Sequence, residues 1–192
     1  MKEDRPRVDR RRAVAGGVAC CLLATTTAGR VALAEEEAAL PQKGDKLVID
    51  GGPDEGKTAT FDLVTAAGGL YSAVPLDPKT NERRTTSRFS KLLLLRFAPD
   101  DIDPDYRQYT AEGVVALSAI CTHQGCTINA WMADVKHLEC FCHHSQFAPA
   151  EGGAVAHGPA RKRLPMLPIA KGDDGSIIVA GDFIAKPGPG PS

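Results

Sequence analysis

Two short segments rich in cysteine and histidine constrain this chain more than any other feature. "CTHQGC" occupies residues 121–126 and "CFCHHS" residues 140–145, and together they hold four of the six cysteines and three of the five histidines. Each segment follows an apolar stretch, so two loops would each present one thiolate and one imidazole to a common point. Cysteine and histidine are the ligands of tetrahedral zinc and of iron–sulfur centres. The segments therefore predict a metal site.

The candidate ligands follow from the spacing within each segment. They are Cys121 with His123, and Cys140 with His143. This set suits zinc or an iron–sulfur centre, and the spacing leaves both open. Cys126 and Cys142 remain, and in an exported protein a remaining pair is most economically a disulfide, which the chain-entropy model values at roughly 3 kcal/mol for this loop length.

Short apolar segments separated by turn residues predict an all-β fold with antiparallel sheets. No stretch of any length has a helical period. The run "KLLLLRF" at 91–97 is almost entirely apolar, as in a strand buried on both faces. The remainder of 66–110 is polar and rich in turn residues, so we expect loops there, with one helical turn at 104–109. The predicted strands are 46–50, 58–64, 91–97, 113–120, 136–141 and 176–185.

The N-terminal residues resemble an export signal. Arg10, Arg11 and Arg12 precede an apolar run at 13–28, and "ALA" at 32–34 predicts cleavage after Ala34. The arginine cluster resembles a twin-arginine signal, which predicts a periplasmic location. The run is short and contains three threonines, so a stable membrane span is not expected. The alternative is an uncleaved N-terminal segment that holds the protein at a membrane.

Charge and composition divide the chain further. We predict a signal at 1–34, a polar linker at 35–45, one domain at 46–185 and a disordered Pro/Gly-rich tail at 186–192. The first 34 residues carry seven cations and three acids, so a formal net charge of −1 for the chain leaves about −5 for the remainder. That balance excludes the basic stripe of a nucleic-acid-binding protein and favours a partner with a basic face.

The two segments resemble the motifs of the Rieske iron–sulfur family. The family motifs read C-T-H-x-G-C and C-x-C-H-x-S, and this chain fills every fixed position of both. "GPA" at 158–160 resembles the family's proline loop, and the resemblance extends over 113–169. It implies an antiparallel β base domain with a cluster-binding subdomain at about 119–160. It also implies one [2Fe–2S] cluster per chain, with Cys121 and Cys140 on one iron and His123 and His143 on the other.

The resemblance also has functional implications. Cys126 and Cys142 match the disulfide pair of the high-potential branch, which points to exported relatives of the cytochrome bc type. The implied function is one-electron transfer within a quinol–cytochrome c oxidoreductase-like complex, with other redox subunits and a c-type cytochrome as partners. One alternative is the Rieske small subunit of a periplasmic molybdenum oxidoreductase resembling arsenite oxidase. A zinc-binding structural module is the alternative from another class. No other grouping of catalytic side chains is visible in the sequence, so we expect an electron-transfer subunit and not a freestanding enzyme.

Several residues beside the ligands match family positions. Ser145 matches a serine whose hydroxyl donates to a bridging sulfide. Phe147 stands where bc-type members commonly have a tyrosine that donates to a ligand sulfur, so we expect a lower potential than that of a Ser/Tyr cluster. Gly125, Gly158 and Pro159 are expected to shape the backbone around the cluster.

Two further positions depart from the quinol-oxidising pattern. Gln124 stands where many such members have leucine, and His144 stands beside the second histidine in place of the more usual glycine. Both substitutions make the tip more polar, which favours the molybdenum alternative over docking at an apolar quinol site.

Overall fold

The structure is a computed structural model that describes residues 39–66 and 69–190; the predicted signal lies outside these ranges. Two antiparallel sheets make up the fold, so the predicted all-β class is confirmed. The larger sheet has the strand order β4-β3-β2-β1-β10-β9 and the smaller one the order β5-β6-β7-β8. Their bounds are β1 Lys46–Ile49, β2 Tyr71–Leu76, β3 Leu92–Arg96, β4 Val114–Ser118, β5 Ala130–Met132, β6 His137–Cys140, β7 Ser145–Ala148, β8 Ala154–His157, β9 Ile169–Lys171 and β10 Ile177–Val179. Four 3₁₀ turns lie at Arg88–Ser90, Pro99–Asp101, Arg107–Tyr109 and Pro149–Glu151.

Strand β3 is buried on both faces, as its apolar run predicts. Leu93 and Leu95 belong to one apolar core, and Leu92 and Leu94 belong to a second core on the opposite face of the sheet. All four side chains are at most 2% exposed. The sheet therefore separates two cores, because successive side chains of a strand point to opposite faces.

The smaller sheet packs on one face of the larger one. Leu138 on β6 and Phe147 on β7 are fully buried in the same core as Leu93 and Leu117. Strand β4 ends directly before the first ligand loop, and β6 leads into the second. Both loops therefore start from rigid, buried strands.

Strand β2 lies in the region that the sequence pattern assigns to loops. It pairs with both β1 and β3 despite Pro75, which has no N–H to donate. The carbonyl oxygen of Pro75 accepts from Arg84 N–H at 2.8 Å, and so faces away from β1. The N–H and C=O of one strand residue point to the same side, so the missing donor removes no hydrogen bond between β1 and β2.

Other strands are shorter than the sequence patterns predict. Of the predicted strand 58–64, only Thr58 and Thr60 form isolated bridges, and residues 61–64 form turns. The segment 176–185 contributes only β10. The helical turn expected at 104–109 is the 3₁₀ turn Arg107–Tyr109.

The end of the chain packs against the domain as far as the structure describes it. Composition predicts disorder from residue 186, but Pro187 and Gly188 are buried. A methyl group at Gly188 would lie 2.5 Å from the ring of Phe89, so only glycine allows this close approach. Within the described ranges, no helix has the length and apolar character needed to cross a membrane.

Candidate metal centre

The first ligand loop is a tight turn that follows β4. The N–H of Gly125 donates to the carbonyl of Cys121 at 2.9 Å, and the N–H of Cys121 donates to the carbonyl of Cys126 at 2.8 Å. Gly125 has a φ of +77°, which glycine adopts without strain. The turn thus begins at a buried cysteine and carries the half-buried His123.

The second ligand loop repeats this closure. It joins β6 to β7, and the N–H of His144 donates to the carbonyl of Cys140 at 2.9 Å. His144 has a φ of +56°, the left-handed region where a non-glycine residue is uncommon. This conformation gives a physical reason for the glycine that the family usually has there. In both loops the fourth residue after the cysteine closes the turn.

The two predicted cysteine ligands lie together inside the protein. Cys121 is 1% exposed and Cys140 is 2% exposed, and neither forms a disulfide. Burial, together with a side-chain hydrogen bond to Cys140, raises the pKa of the Cys121 thiol to about 11. Two thiolates buried side by side need a bound cation, because burial disfavours the charged form of each thiol and a metal ion reverses that preference.

The two predicted histidine ligands lie on the outer side of the cysteines. The rings of His123 and His143 have centroids 4.7 Å apart and meet edge to face at 88°. The Nδ1 atom of His123 is buried and has no hydrogen-bond partner among the described residues. A buried imidazole nitrogen without a partner is costly, and a metal ion would satisfy it. His143 is exposed at the tip.

The structure contains the predicted disulfide between Cys126 and Cys142. Each sulfur of the pair comes from a different ligand loop, so the bond joins the two loops. The sulfur atoms of Cys126, Cys140 and Cys142 lie within 4.8 Å of one another. Because two of these three are bonded together, Cys140 is the one that remains free to bind a metal.

The proline loop rests on the second ligand loop. Ser145 is fully buried, and its hydroxyl oxygen accepts from the N–H of Ala160 at 3.2 Å, which leaves the hydroxyl proton free to donate. Gly158 lies so close that a methyl group there would be 2.6 Å from the carbonyl oxygen of His144. Pro159 lies between these two contacts and is exposed. The loop therefore covers Ser145 from the side of β8.

Phe147 and the other histidines lie around the four predicted ligands. The Phe147 ring is fully buried in the core that also contains Cys121 and Cys140. His144 points its Nδ1 at Glu139 Oε1, 3.0 Å away. His137 and His157 lie on β6 and β8, outside the two ligand loops.

Three contacts of the first ligand loop could not be predicted from any sequence motif. Thr122 donates its hydroxyl to the carbonyl of Lys162 at 2.6 Å. A methyl group at Gly125 would lie 3.3 Å from Nη2 of Arg88 and 3.4 Å from Pro189. These residues are distant in sequence and belong to ordinary polar or Pro/Gly-rich stretches.

The donor set fits a mixed-ligand cluster. Two thiols lie side by side in the interior, two imidazoles lie side by side toward the surface, and one buried imidazole nitrogen lacks a partner among the described residues. A four-cysteine site is excluded, because the other two cysteines of these loops are bonded to each other.

Comparisons with known proteins agree with this arrangement. The family model described as Rieske [2Fe-2S] domain matches residues 91–168. The cytochrome bc1 complex Rieske iron-sulfur subunit of Streptomyces lividans is 37% identical over 127 residues, which are 65% of this chain and 75% of that protein. A Rieske subunit assigned to a respiratory nitrate reductase of Haloferax mediterranei is 39% identical over 99 residues, 51% of this chain and 44% of that protein.

A solved structure shows a weaker likeness. The plasma membrane Rieske protein PetC3 of Synechocystis PCC 6803 has a TM-score of 0.42 and 23% identity, over 63% of this chain and 94% of that one. The family therefore rests on the sequence relatives and on the two filled motifs. With 37% identity across three quarters of the Streptomyces lividans subunit, this chain belongs to the Rieske [2Fe–2S] family.

Proposed function

We propose that this protein is the Rieske iron–sulfur subunit of a cytochrome bc1-type complex, in which it transfers single electrons from a quinol to a c-type cytochrome. The observation that supports this most strongly is the identity of 37% with a bc1 subunit over three quarters of its length. When bound, a Rieske cluster supplies a one-electron couple between about −150 and +300 mV. The molybdenum alternative has less support, since two bc1 subunits match over 65% of this chain and the nitrate reductase subunit over 51%.

The buried and the exposed side chains of the site have different roles. The buried thiols of Cys121 and Cys140 would hold the inner iron away from water. The imidazole of His143 reaches the surface, so its free nitrogen can exchange a proton or contact a partner. Ser145 keeps a hydroxyl proton to donate, which favours the more negative, reduced state. Electrons would therefore enter and leave at the histidine side.

Purification of the protein from its own cells tests the complex. An affinity tag at the C-terminus, mild detergent extraction and mass spectrometry should recover a cytochrome b and a c-type cytochrome together with the tagged chain. Recovery of a molybdenum-containing subunit in their place would overturn the proposal and support the alternative. A parallel purification of the same tag on an unrelated exported protein controls for abundant haem proteins.

Phe147→Tyr should raise the midpoint potential of the cluster. Phe147 packs in the core that also contains Cys121 and Cys140, and the new hydroxyl is expected to donate to a ligand sulfur there. One hydrogen bond of about 1 kcal/mol corresponds to about 40 mV for a single electron. Redox titration followed by EPR measures the change. Phe183→Tyr is the matched control, because Phe183 packs in the other core. A midpoint in Phe147→Tyr equal to that of the wild type would refute the proposed effect.

We also propose export by the twin-arginine route. Lysine at Arg10, Arg11 and Arg12 should trap the precursor inside the cell, because this route reads the arginines and carries proteins that are already folded. Cell fractionation with immunodetection measures the distribution. Lysine at Arg5 and Arg7, which lie outside the cluster, is the matched control. Normal export of the triple variant would contradict the proposed route.

A further inference from the structure

Three exposed cations surround the ligand loops: Arg88, Arg161 and Lys162. We call these residues the cationic collar. Arg88 Nη2 would lie 3.3 Å from a methyl group at Gly125. The carbonyl of Lys162 accepts from Thr122 at 2.6 Å. Arg161 directly follows Ala160, whose N–H donates to Ser145. The Arg88 guanidinium thus lies beside the first ligand loop, whereas Arg161 and Lys162 are placed near the loops through the backbone of their segment.

Among residues 39–66 and 69–190, no acidic residue pairs with the collar. The segments 119–133, 140–150 and 152–172 contain no aspartate or glutamate. The acid nearest the ligands in sequence is Glu139, which is directed at His144 and has a side chain only 15% exposed. Within 39–66 and 69–190, no carboxylate lies within ion-pair distance of the three collar cations. Their charge is therefore presented to solvent.

The opposite end of the large sheet has the reverse charge. The connection between β3 and β4 holds five acids and one arginine at 99–112, whereas the other end of β4 leads to the ligands. The β9–β10 turn adds Asp173 and Asp174. It lies at the same end, since Lys171 on β9 pairs with Glu112 at 2.7 Å. Several of these acids pair with cations, namely Arg96, Arg107, Lys136 and Lys171. The far end is therefore only weakly negative, whereas the collar beside the ligand loops is positive.

We propose that the cationic collar is the docking surface for the electron acceptor, and that this acceptor is a haem protein whose exposed haem edge is ringed by carboxylates. The proposal rests on the proposed function as an electron-transfer subunit. It differs from the expectation from net charge, which favours a basic partner, because the described residues hold 16 Lys/Arg and 18 Asp/Glu, a net charge of only −2, and the collar residues are all positive. A charged surface of one sign beside the redox centre attracts and orients a partner of the opposite sign.

The transfer itself is balanced simply. The bound cluster would supply one electron, and the haem protein would accept it, so one electron is lost and one is gained. No bond forms or breaks. The collar acts before this step, because it raises the concentration of correctly oriented encounter complexes. Its effect is therefore expected on the second-order rate constant, and it should decrease as ionic strength rises.

Two charge-reversal variants of equal net charge distinguish the effect of the collar from the effect of overall charge. The test variant is Arg88→Glu, Arg161→Glu and Lys162→Glu combined. The matched control is Lys57→Glu, Lys136→Glu and Lys171→Glu combined, which changes the net charge equally at exposed sites on turns and strands away from the ligand loops. Absorption and EPR spectra of both must equal those of the wild type. A missing cluster in the wild type would refute the proposed function and, with it, the docking proposal that rests on it.

Two kinds of oxidant measure the effect by stopped flow at low ionic strength. The anion hexacyanoferrate(III) and the cation tris(phenanthroline)cobalt(III) report the local potential. A negatively charged soluble c-type cytochrome, native and after amidation of its carboxylates, reports protein docking. Equilibrium binding of the native cytochrome to the oxidised protein, followed by NMR titration, gives a readout without electron transfer. Vesicles of phosphatidylglycerol and of phosphatidylcholine test an anionic lipid surface as the alternative occupant.

The collar predicts one pattern of results. The collar variant should react about tenfold or more slowly with hexacyanoferrate(III) and with the native cytochrome, and faster with the cobalt complex. It should also lose NMR binding, while the control variant stays within about twofold of the wild type. Equal rates for the two variants would overturn the proposal. So would collar-dependent binding to phosphatidylglycerol vesicles without any change in the cytochrome rate.

Discussion

Replacement of Cys140 by alanine or of His123 by glutamine abolishes the cluster: iron falls from two atoms per chain to near zero, and both the visible absorption and the EPR signal of the reduced protein disappear. Each substitution leaves one iron with a single protein ligand. The sulfurs of Cys126 and Cys142 lie within 4.8 Å of that of Cys140, but they are bonded to each other and so cannot replace it. Metal analysis and EPR after reduction with dithionite measure the outcome.

The remaining histidines supply controls for this expectation. His137→Gln and His157→Gln should keep two irons and the full spectrum, because both residues lie outside the ligand loops. A full cluster in His123→Gln would refute the ligand set. Stoichiometric zinc in the wild-type protein, with no visible chromophore, would instead support the structural zinc module.

Replacement of both Cys126 and Cys142 by serine lowers the free energy of unfolding by about 3 kcal/mol. The disulfide closes a loop of 16 residues and joins the two ligand loops, so its loss gives entropy to the unfolded chain. Urea unfolding of the cluster-free protein measures the change through Trp131, the one tryptophan of the chain, whose ring packs against Phe97. With a typical slope, the midpoint falls by about 1–3 M urea.

Treatment with a thiol reductant distinguishes the effect of losing the disulfide from the effect of replacing the cysteine side chains. Reduced wild type should unfold at the midpoint of the double serine variant, and the variant should not respond to the reductant. Serine at Cys20 and Cys21, the two cysteines of the predicted signal, should leave the midpoint unchanged. A double variant as stable as the oxidised wild type would show that the bond does not stabilise the fold.

The features that the sequence predicts best are those that depend on local residues. The strand at Leu92–Arg96 follows from an unbroken apolar run, because a strand with both faces buried needs nothing else. The two ligand loops follow from fixed spacings, because each turn closes on itself. The disulfide follows from the family motifs and is present in the structure.

The features that it misses depend on distant partners. Strand β2 contains Pro75, and only the pairing with β1 and the position of Arg84 show that the missing N–H does not matter. The packing of Pro187 and Gly188 depends on space beside Phe89, which composition does not reveal. The collar depends on which charged segments lie near the ligands, whereas net charge averages over both ends.

The closure of each ligand loop by its own backbone hydrogen bond has a consequence for the evolution of the site. Cys121 and His123 lie within one five-residue turn, and Cys140 and His143 within another, so the geometry of each pair is encoded over a few adjacent codons. Only the separation of the two turns depends on the rest of the fold. The sequence of the base domain, the surface loops and the partner contacts can therefore change while the two short ligand turns preserve the redox centre.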